Sequence, residues 1–250
     1  MREFFHAILY KPLYNLLIAL VAFMPGHDMG LAIIAITIII RLILHPFSIS
    51  AFRSQRAIQK LQPMLRELKE KHKGDQQAFG QASMQLYKDN KVNPAASCLP
   101  LLLQLPILLA LYWVLRDGMN AINASELYSF IPHPENVSAI AFGFLDLHKS
   151  SWVLAILAGA AQFVQAKMLQ TPPPAVKTEG AKDEAMMVMM NKQMLYLMPA
   201  LTVFIGWTLP SGLTIYWFVA TVLTIAQQWF IFRKLDRDEA RAKEIEATKA

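Results

Sequence analysis

Arg41 is the residue of this sequence whose chemistry fits its surroundings least. It lies within the apolar stretch Leu31 to Phe47, which reads LAIIAITIIIRLILHPF. A guanidinium remains charged in proteins, so inside a bilayer it needs a water-filled cavity, an anionic partner or both. Charges within membrane segments therefore commonly mark functional sites. The alternative is that Arg41 lies near a helix end and extends its side chain to the lipid headgroups.

No set of side chains suited to catalysis accompanies Arg41. The sequence contains no GxxxxGK[ST] phosphate loop, no HExxH zinc motif and no GxSxG elbow, and its apolar stretches carry no Asp or Glu. The histidines are scattered, so an enzyme mechanism would depend on His45 alone. The single cysteine, Cys98, excludes an internal disulfide, and we interpret it as a small buried residue. We predict that the chain is not an enzyme and has no cofactor or metal site.

The composition indicates a membrane protein with several spans. Hydrophobic residues make up 55% of the 250 residues. This exceeds the roughly 45 to 50% that is usual in soluble domains. The mean hydropathy is +0.33. We therefore predict an all-α polytopic membrane protein whose core lies in lipid.

Hydropathy predicts five transmembrane helices, each judged against the roughly 20 apolar residues that a bilayer requires. The third and fourth are short for a span. The predicted order is an N-terminal interfacial helix (1–30), TM1 (31–50), a cytoplasmic helical hairpin (51–94), TM2 (95–116), an outer loop (117–151), TM3 (152–169), a cytoplasmic linker (170–193), TM4 (194–209), TM5 (212–232) and a cytoplasmic tail (233–250).

The segment Phe4 to Phe23 is apolar, but polar residues interrupt it. His6, Tyr10, Lys11, Tyr14 and Asn15 fall on one half of a helical wheel. This pattern favours an amphipathic helix in the membrane interface, and a sixth span is the alternative. No basic region followed by a cleavage site precedes it, so we do not interpret it as a removable signal peptide.

The distribution of basic residues predicts the orientation. Nine Lys or Arg residues lie between the first two spans, and six more follow Phe232. The opposite side carries only Arg2, Lys11, Arg116 and Lys149. By the positive-inside rule, the region 51–94, the linker and the C-terminus are cytoplasmic.

The cytoplasmic region between the first two spans has the pattern of a helical hairpin. From Ala51, apolar residues recur at spacings of three and four, which is typical of an amphipathic helix that Pro63 should bend. A break at Lys73-Gly74-Asp75 leads to a second amphipathic helix from about Gln76 to Asn90. The two helices can bury their apolar stripes against each other.

Several predicted spans carry uncharged polar residues, which cost free energy in hydrocarbon unless they meet one another or water. They are Thr37, Gln104, Gln162, Gln165, Tyr216, Trp217, Thr221, Thr224, Gln227 and Gln228. Hydrogen bonding between helices would account for many of them. Together with Arg41 they favour a hydrophilic groove that opens to the cytoplasm, because Arg41, Gln165 and Gln227 all lie in the cytoplasmic halves of their spans.

The order of these signals resembles the YidC insertases and their relatives in mitochondria and thylakoids. The similar stretches are KPLYNLL, TIIIRLILHPF, LQPMLRELKEKHKGD, LYKDNKVNP, SCLPLLLQLPILLALYWVL and LMPALTVFIGWTLPSGLTIYWFVATVLTIAQQW. The chain departs from the family pattern in having AAS where a Gly pair usually precedes the Cys. It also shows no large outer domain, and its tail of mixed charge differs from the polybasic ribosome-binding tails of some relatives.

The resemblance implies a membrane protein insertase and chaperone of the bacterial cytoplasmic (inner) membrane that hydrolyses no nucleotide. It implies five transmembrane helices around a groove that is open to the cytoplasm and sealed outside. Arg41 would supply the groove's positive charge, and Thr37, Gln104, Gln165, Tyr216 and Trp217 would lie along its wall. Nascent membrane proteins would be the clients, and membrane lipids, the ribosome and a Sec-type translocon would be further partners, with no specific nucleic-acid site. A transporter or channel with a polar path through the membrane is the alternative, although no internal repeat supports it.

Overall fold

The protein is mostly helical. The computed structural model describes residues 2–93, 95, 99–120, 122–132, 134, 137–170 and 193–249. Cys98 and almost all of the linker predicted at 170–193 lie outside the described residues, so neither prediction is tested. Helix α1 comprises Arg2–Phe5, a π-helical turn at His6–Tyr10 and Lys11–Phe23. The helices that follow are α2 (Met29–Ile43), α3 (His45–Lys71), α4 (Gln76–Asp89), α5 (Leu99–Asn120), α6 (Trp152–Leu169), α7 (Met198–Thr208, after a π-helical turn at Gln193–Leu197) and α8 (Ser211–Lys249).

Three of the described helices are long and apolar enough to cross a membrane. They are Glu3–Phe23, Trp152–Leu169 and the first 32 residues of α8, Ser211–Ala242. The pair α2 and α3 would provide a fourth span if the two count as one segment, although they meet at a bend of 66°. The predicted second span falls on α5, and the predicted fourth falls on a shorter apolar helix, Leu195–Thr208. The number of five spans therefore stays a prediction.

The bend between α2 and α3 lies nearer the N-terminus than the boundary predicted at residue 50. Helix α2 ends at Ile43, and α3 begins at His45. Pro46 has no N–H to donate to the carbonyl of Leu42, and its ring clashes with that carbonyl, so the α2 helix cannot continue straight. Pro63, by contrast, lies inside α3 without ending it.

The buried core joins α1, α2, α5 and α8. Its largest members with almost no exposed surface include Tyr14, Ile33, Leu111 and Tyr216, one from each helix. Helix α8 also contacts α3 and α6, and α6 packs against α7. Because α8 contacts α2, α3, α5 and α6, polar residues from several helices can meet along it.

The loop after α5 folds back over the start of α2. It forms a two-stranded antiparallel sheet, β1 (Ile140–Ala141) with β2 (Leu145–Asp146). The Asp28 carboxylate accepts hydrogen bonds from the backbone N–H groups of Gly30 at 2.7 Å and Phe142 at 2.6 Å. Asp28 thus caps α2 and attaches the sheet to it. A hydrogen bond from the Lys149 ammonium, at 3.0 Å, lowers the pKa of the exposed Asp146 carboxyl.

The polar side of α1 is buried against this same loop. Tyr14 is fully buried, and its hydroxyl accepts a hydrogen bond from the backbone N–H of Asn123 at 2.8 Å. The Asn15 amide donates to the carbonyl of Glu126 at 2.9 Å and accepts from the backbone N–H of Tyr128 at 2.6 Å. Groups of the protein therefore provide hydrogen-bond partners for Tyr14 and Asn15, two of the polar residues from which the interfacial helix was predicted. The interfacial location stays a prediction, since α1 is also long enough to span.

Candidate functional site: a buried polar chain beside a cleft

Arg41 meets polar groups from two other apolar helices. Its Nη2 donates a hydrogen bond to Gln104 Oε1 at 3.4 Å, and Gln104 Nε2 donates to the Tyr216 hydroxyl. Tyr216 is only 2% exposed. The three residues come from α2, α5 and α8, so a continuous polar chain links three helices. Each group meets a partner that reduces the cost of burying it in an apolar surrounding.

The positive charge of Arg41 is not neutralised within the described part of the chain. No described carboxylate oxygen lies within 4.0 Å of its guanidinium nitrogens, and its hydrogen-bond partner Gln104 is neutral. A half-buried guanidinium with a single neutral partner retains unused donors, because guanidinium carries five N–H groups. The arrangement can therefore bind a carboxylate or phosphate brought from outside.

The other three residues predicted along the groove wall do not join this chain. Thr37 is fully buried, and its hydroxyl donates to the carbonyl of Ile33 at 2.5 Å, one turn back on its own helix. Trp217 and Gln165 are half-buried, and no described hydrogen bond links either side chain to Arg41. The structure brings together Arg41, Gln104 and Tyr216, and their shared role in a groove stays a prediction.

A cleft of about 490 Å³ opens beside Arg41, between the bend of α2 with α3 and the middle of α8 (223–238). Its size is within the range of roughly 300 to 1,000 Å³ that is typical of ligand sites. Apolar side chains form much of its wall, and Asp238 is the acidic residue in its lining. The polar and charged residues that line it are Arg41, His45, Arg53, Gln227, Lys234 and Asp238. The cleft is therefore amphipathic, with an excess of positive charge.

His45 and Gln227 form a second polar contact in the wall of this cleft. The His45 Nδ1 and Gln227 Nε2 atoms lie 3.2 Å apart. The Gln227 Oε1 atom is buried and has no hydrogen-bond partner among the described residues. A buried amide oxygen without a partner costs free energy, so this atom is suited to accept a hydrogen bond from water or from a bound segment. From the sequence we considered His45 only as an isolated candidate base. Its position four residues after Arg41 was the signal that could have assigned it to the same site.

On another face of α8, two ion pairs that the sequence did not predict connect this helix to α3. Arg56 binds the Asp236 carboxylate in a bidentate manner, with N–O distances of 2.7 to 3.1 Å, and Lys60 pairs with Glu239. The predicted tail from residue 233 is thus the continuation of α8, with its Asp236 and Glu239 side chains facing α3. The Gln59 amide adds a hydrogen bond to the carbonyl of Leu169, at the end of α6, at 3.0 Å.

We expect these ion pairs to orient α3 rather than to stabilise the protein as a whole. Half-exposed pairs contribute about 0 to 1 kcal/mol each. Asp236→Arg should therefore lower the thermal midpoint by only a few degrees, while like charges move α3 away from α8. Spin labels at the exposed positions Met64 in α3 and Ala240 in α8, in a Cys98→Ala background, should report a broader distance distribution.

The matching double variant is the control for this prediction. Adding Arg56→Asp to Asp236→Arg restores opposite charges and should narrow the distribution again. An unchanged distribution in Asp236→Arg would mean that other contacts orient α3.

The described residues include no group of three or more His, Cys, Asp or Glu side chains that could hold a metal ion. What the arrangement can do chemically is hold charge and hydrogen-bonding capacity inside an apolar helical assembly.

Comparison with known proteins identifies the family. Residues 20–239 match the family model described as 60Kd inner membrane protein. The membrane protein insertase YidC of Fusobacterium nucleatum is 34% identical over 228 residues, which cover 89% of this chain and 98% of that protein. The same-named protein of Ectopseudomonas mendocina is 36% identical over 218 residues, covering 87% of this chain and 32% of its relative. The same-named protein of Cupriavidus pinatubonensis is 35% identical over 235 residues, covering 94% and 37%.

The chain thus spans nearly the full length of the first of these relatives and about a third of the length of the other two. The match includes every helix of the polar chain around Arg41. The chain therefore belongs to the 60Kd inner membrane protein family.

Proposed function

We propose that this chain is a membrane protein insertase, which inserts other membrane proteins and helps them to fold. The observation that carries this proposal is the Arg41 guanidinium, which lies among apolar helices beside an open cleft with no carboxylate partner in the described part of the chain. The name of the relatives, membrane protein insertase YidC, agrees with it.

The proposed assembly contains five transmembrane helices around a hydrophilic groove that is open to the cytoplasm. The cleft beside Arg41 would be the cytoplasmic mouth of this groove, and Arg41, Gln104 and Tyr216 would form its inner end. Thr37, Gln165 and Trp217 are proposed to lie along the path of the client. The buried side chains Met29 and Leu111 in the core would seal the groove on the outer side.

The proposed orientation puts α3, α4 and the end of α8 in the cytoplasm of a bacterial cell, and the β1–β2 loop outside. The concentration of Lys and Arg in α3, α4 and the end of α8 supports it. Because Tyr14 and Asn15 bind residues of the loop after α5, α1 would lie on the same side as that loop, which the same rule assigns to the outer side.

Electrostatic attraction would start insertion. A client segment with acidic residues is attracted from the cytoplasm towards Arg41, whose charge water in the cleft keeps solvated. A charged residue at the centre of an isolated membrane helix costs roughly 2.5 to 3.5 kcal/mol on insertion scales, so solvation by a cleft of this size is sufficient to tolerate it. The short apolar helix Leu195–Thr208 agrees with local thinning of the bilayer, which shortens the client's path.

The hydrophobic effect would complete insertion. Once the polar segment has crossed, the client's apolar helix partitions sideways into lipid, and burial of its surface supplies the free energy. No nucleotide hydrolysis is required for this step. The helices α3 and α4, proposed as a cytoplasmic hairpin, would receive clients, the ribosome or a Sec-type translocon.

Reconstitution of the purified protein alone in liposomes tests the proposal. The client is a small membrane protein with a short acidic outer segment, and insertion is measured as protection of that segment from added protease. We expect protection well above that in empty liposomes. Protection equal to empty liposomes would contradict autonomous insertion, and leakage of small ions or solutes without insertion would favour a channel.

A further inference from the structure

A second cleft lies where α3, the end of α6 and α8 meet, and it does not include Arg41. Its volume is about 500 Å³. We call it the headgroup cleft and define it by Arg56, Met168, Trp229, Arg233, Asp236 and Arg237. Its wall combines the apolar side chains of Met168 and Trp229 with three guanidinium groups, so it is amphipathic along the axis of α8.

The charges of the headgroup cleft do not cancel. Asp236 is bound by Arg56 through two parallel N–H···O contacts. Arg233 and Arg237 are exposed, and no described carboxylate oxygen lies within 4.0 Å of either guanidinium. Three cations and one anion leave an excess of two positive charges in a cleft that the ion pair holds in shape.

Trp229 and Phe232 are the aromatic side chains that line the cleft, and Trp229 is the exposed one. Trp229 is 47% exposed, and the Arg233 guanidinium lies 5.1 Å from the centre of its ring. Tryptophan is enriched at the boundary between hydrocarbon and headgroups. Helix α6 ends at Leu169, next to Met168, and α8 changes from apolar to charged after Phe232. In a bilayer, this arrangement would put the guanidinium groups at the level of the phosphates, in a headgroup layer roughly 5 to 7 Å thick on each side.

We propose that the headgroup cleft binds an anionic phospholipid, with the phosphate groups on Arg233 and Arg237 and an acyl chain along Met168 and Trp229. Guanidinium binds phosphate through paired N–H donors, and juxtamembrane cations attract anionic lipids. The phosphate backbone of a nucleic acid would use the guanidinium groups, but it would leave the apolar side chain of Met168 without a partner. The proposal is independent of the insertase activity, because it concerns a site on another face of α8.

Fluorescence of Trp229 provides a local probe. The other four tryptophans, Trp113, Trp152, Trp207 and Trp217, are replaced by Phe. The protein is reconstituted in phosphatidylcholine bilayers that contain the same mole fraction of either brominated phosphatidylglycerol or brominated phosphatidylcholine, whose bromine atoms quench nearby tryptophan. We expect an apparent preference for phosphatidylglycerol of at least about fivefold, since each cation at a membrane surface contributes severalfold.

Two pairs of variants with equal charge distinguish the headgroup cleft from general attraction by the basic helix. Arg233→Gln with Arg237→Gln should abolish the preference. Lys234→Gln with Arg241→Gln removes the same charge from the same helix outside the cleft and should leave the preference nearly unchanged. Arg233→Lys with Arg237→Lys keeps both positive charges and should retain most of the preference. This result would also show that the protein folds when both guanidinium groups are replaced.

Three results would overturn the proposal. One is equal quenching by the two brominated lipids in the protein that retains only Trp229. Another is an equal loss of preference in both Gln pairs, which would indicate a diffuse charge effect. The third is unchanged lipid preference in Arg233→Gln with Arg237→Gln together with weaker binding of a ribosomal RNA fragment to the proteoliposomes, which would identify a nucleic-acid surface instead.

Discussion

Replacing Arg41 by Ala should reduce the insertion of a client with an acidic outer segment by about tenfold in reconstituted liposomes. Two opposite unit charges about 10 Å apart attract by roughly 1.7 kcal/mol at an effective dielectric constant of about 20, which corresponds to somewhat more than tenfold. The buried chain through Gln104 and Tyr216 also loses its cation, but those two residues can still bond to each other. The effect should therefore arise from charge and not from unfolding, and the initial rate of protease protection measures it.

The client provides the matched control for this prediction. The same client with Asn and Gln in place of its acidic residues should insert at nearly equal rates with wild type and Arg41→Ala. Arg41→Lys should retain most of the activity on the acidic client, because the charge remains. Lys88→Ala removes an exposed cation far along α4 and should have little effect. Equal losses on acidic and neutral clients would contradict the electrostatic step and would indicate that Arg41 only maintains the helix packing.

Replacing Gly159 by Leu should lower the thermal midpoint of the detergent-solubilised protein by about 10 °C. Gly159 lies on the buried face of α6, where a Cβ would overlap the Cγ2 atom of Val203 and lie 3.1 Å from the carbonyl oxygen of Pro199. Backbone atoms of α7 cannot move aside as a flexible side chain can, so the two helices must separate. Overpacking of this kind costs roughly 3 kcal/mol. In a chain of this size that corresponds to about 10 °C.

A second glycine gives the matched control for Gly159. A Cβ on Gly80, in α4, would have nothing within 4 Å. Gly80→Leu should leave the midpoint unchanged or raise it slightly, because Leu favours a helix more than Gly does. If Gly159→Leu had the same midpoint as Gly80→Leu, the close packing of α6 on α7 would not contribute to stability. Small residues commonly allow such close packing between membrane helices.

The sequence alone was sufficient for the family, the helical class and the limits of some helices, but not for the end of α2, which was predicted at residue 50 and lies at Ile43. The second helix of the predicted hairpin illustrates why some limits could be predicted. It was predicted from about Gln76 to Asn90, and α4 extends over Gln76–Asp89. Its limits depend on local features, namely the Asp75 cap at one end and the break before Asn93-Pro94 at the other. Local signals of this kind are read from neighbouring residues without any knowledge of tertiary contacts.

The candidate site was only partly predictable. Arg41 was evident because a charge in an apolar stretch is anomalous at any single position. Gln104 and Tyr216 were among several polar residues in the predicted spans, and composition could not select them from Gln165, Trp217 or the threonines. Their hydrogen bonds join residues 63 and 112 positions apart in the chain, so the rotation of each helix decides which of them meet.

Apolar helices, one charge among them and a concentration of basic residues on one side can all be read from the order of residues. Which polar groups meet depends on the packing of the folded chain. It put Tyr14 and Asn15 of α1 against the loop after α5, whereas the pattern alone indicated only that this side of the helix is polar. It also directed Asp236 and Glu239 of α8 towards α3 and left Arg233 and Arg237 exposed. This is because periodicity records which side of a helix is polar, whereas the partner of that side depends on how distant helices pack.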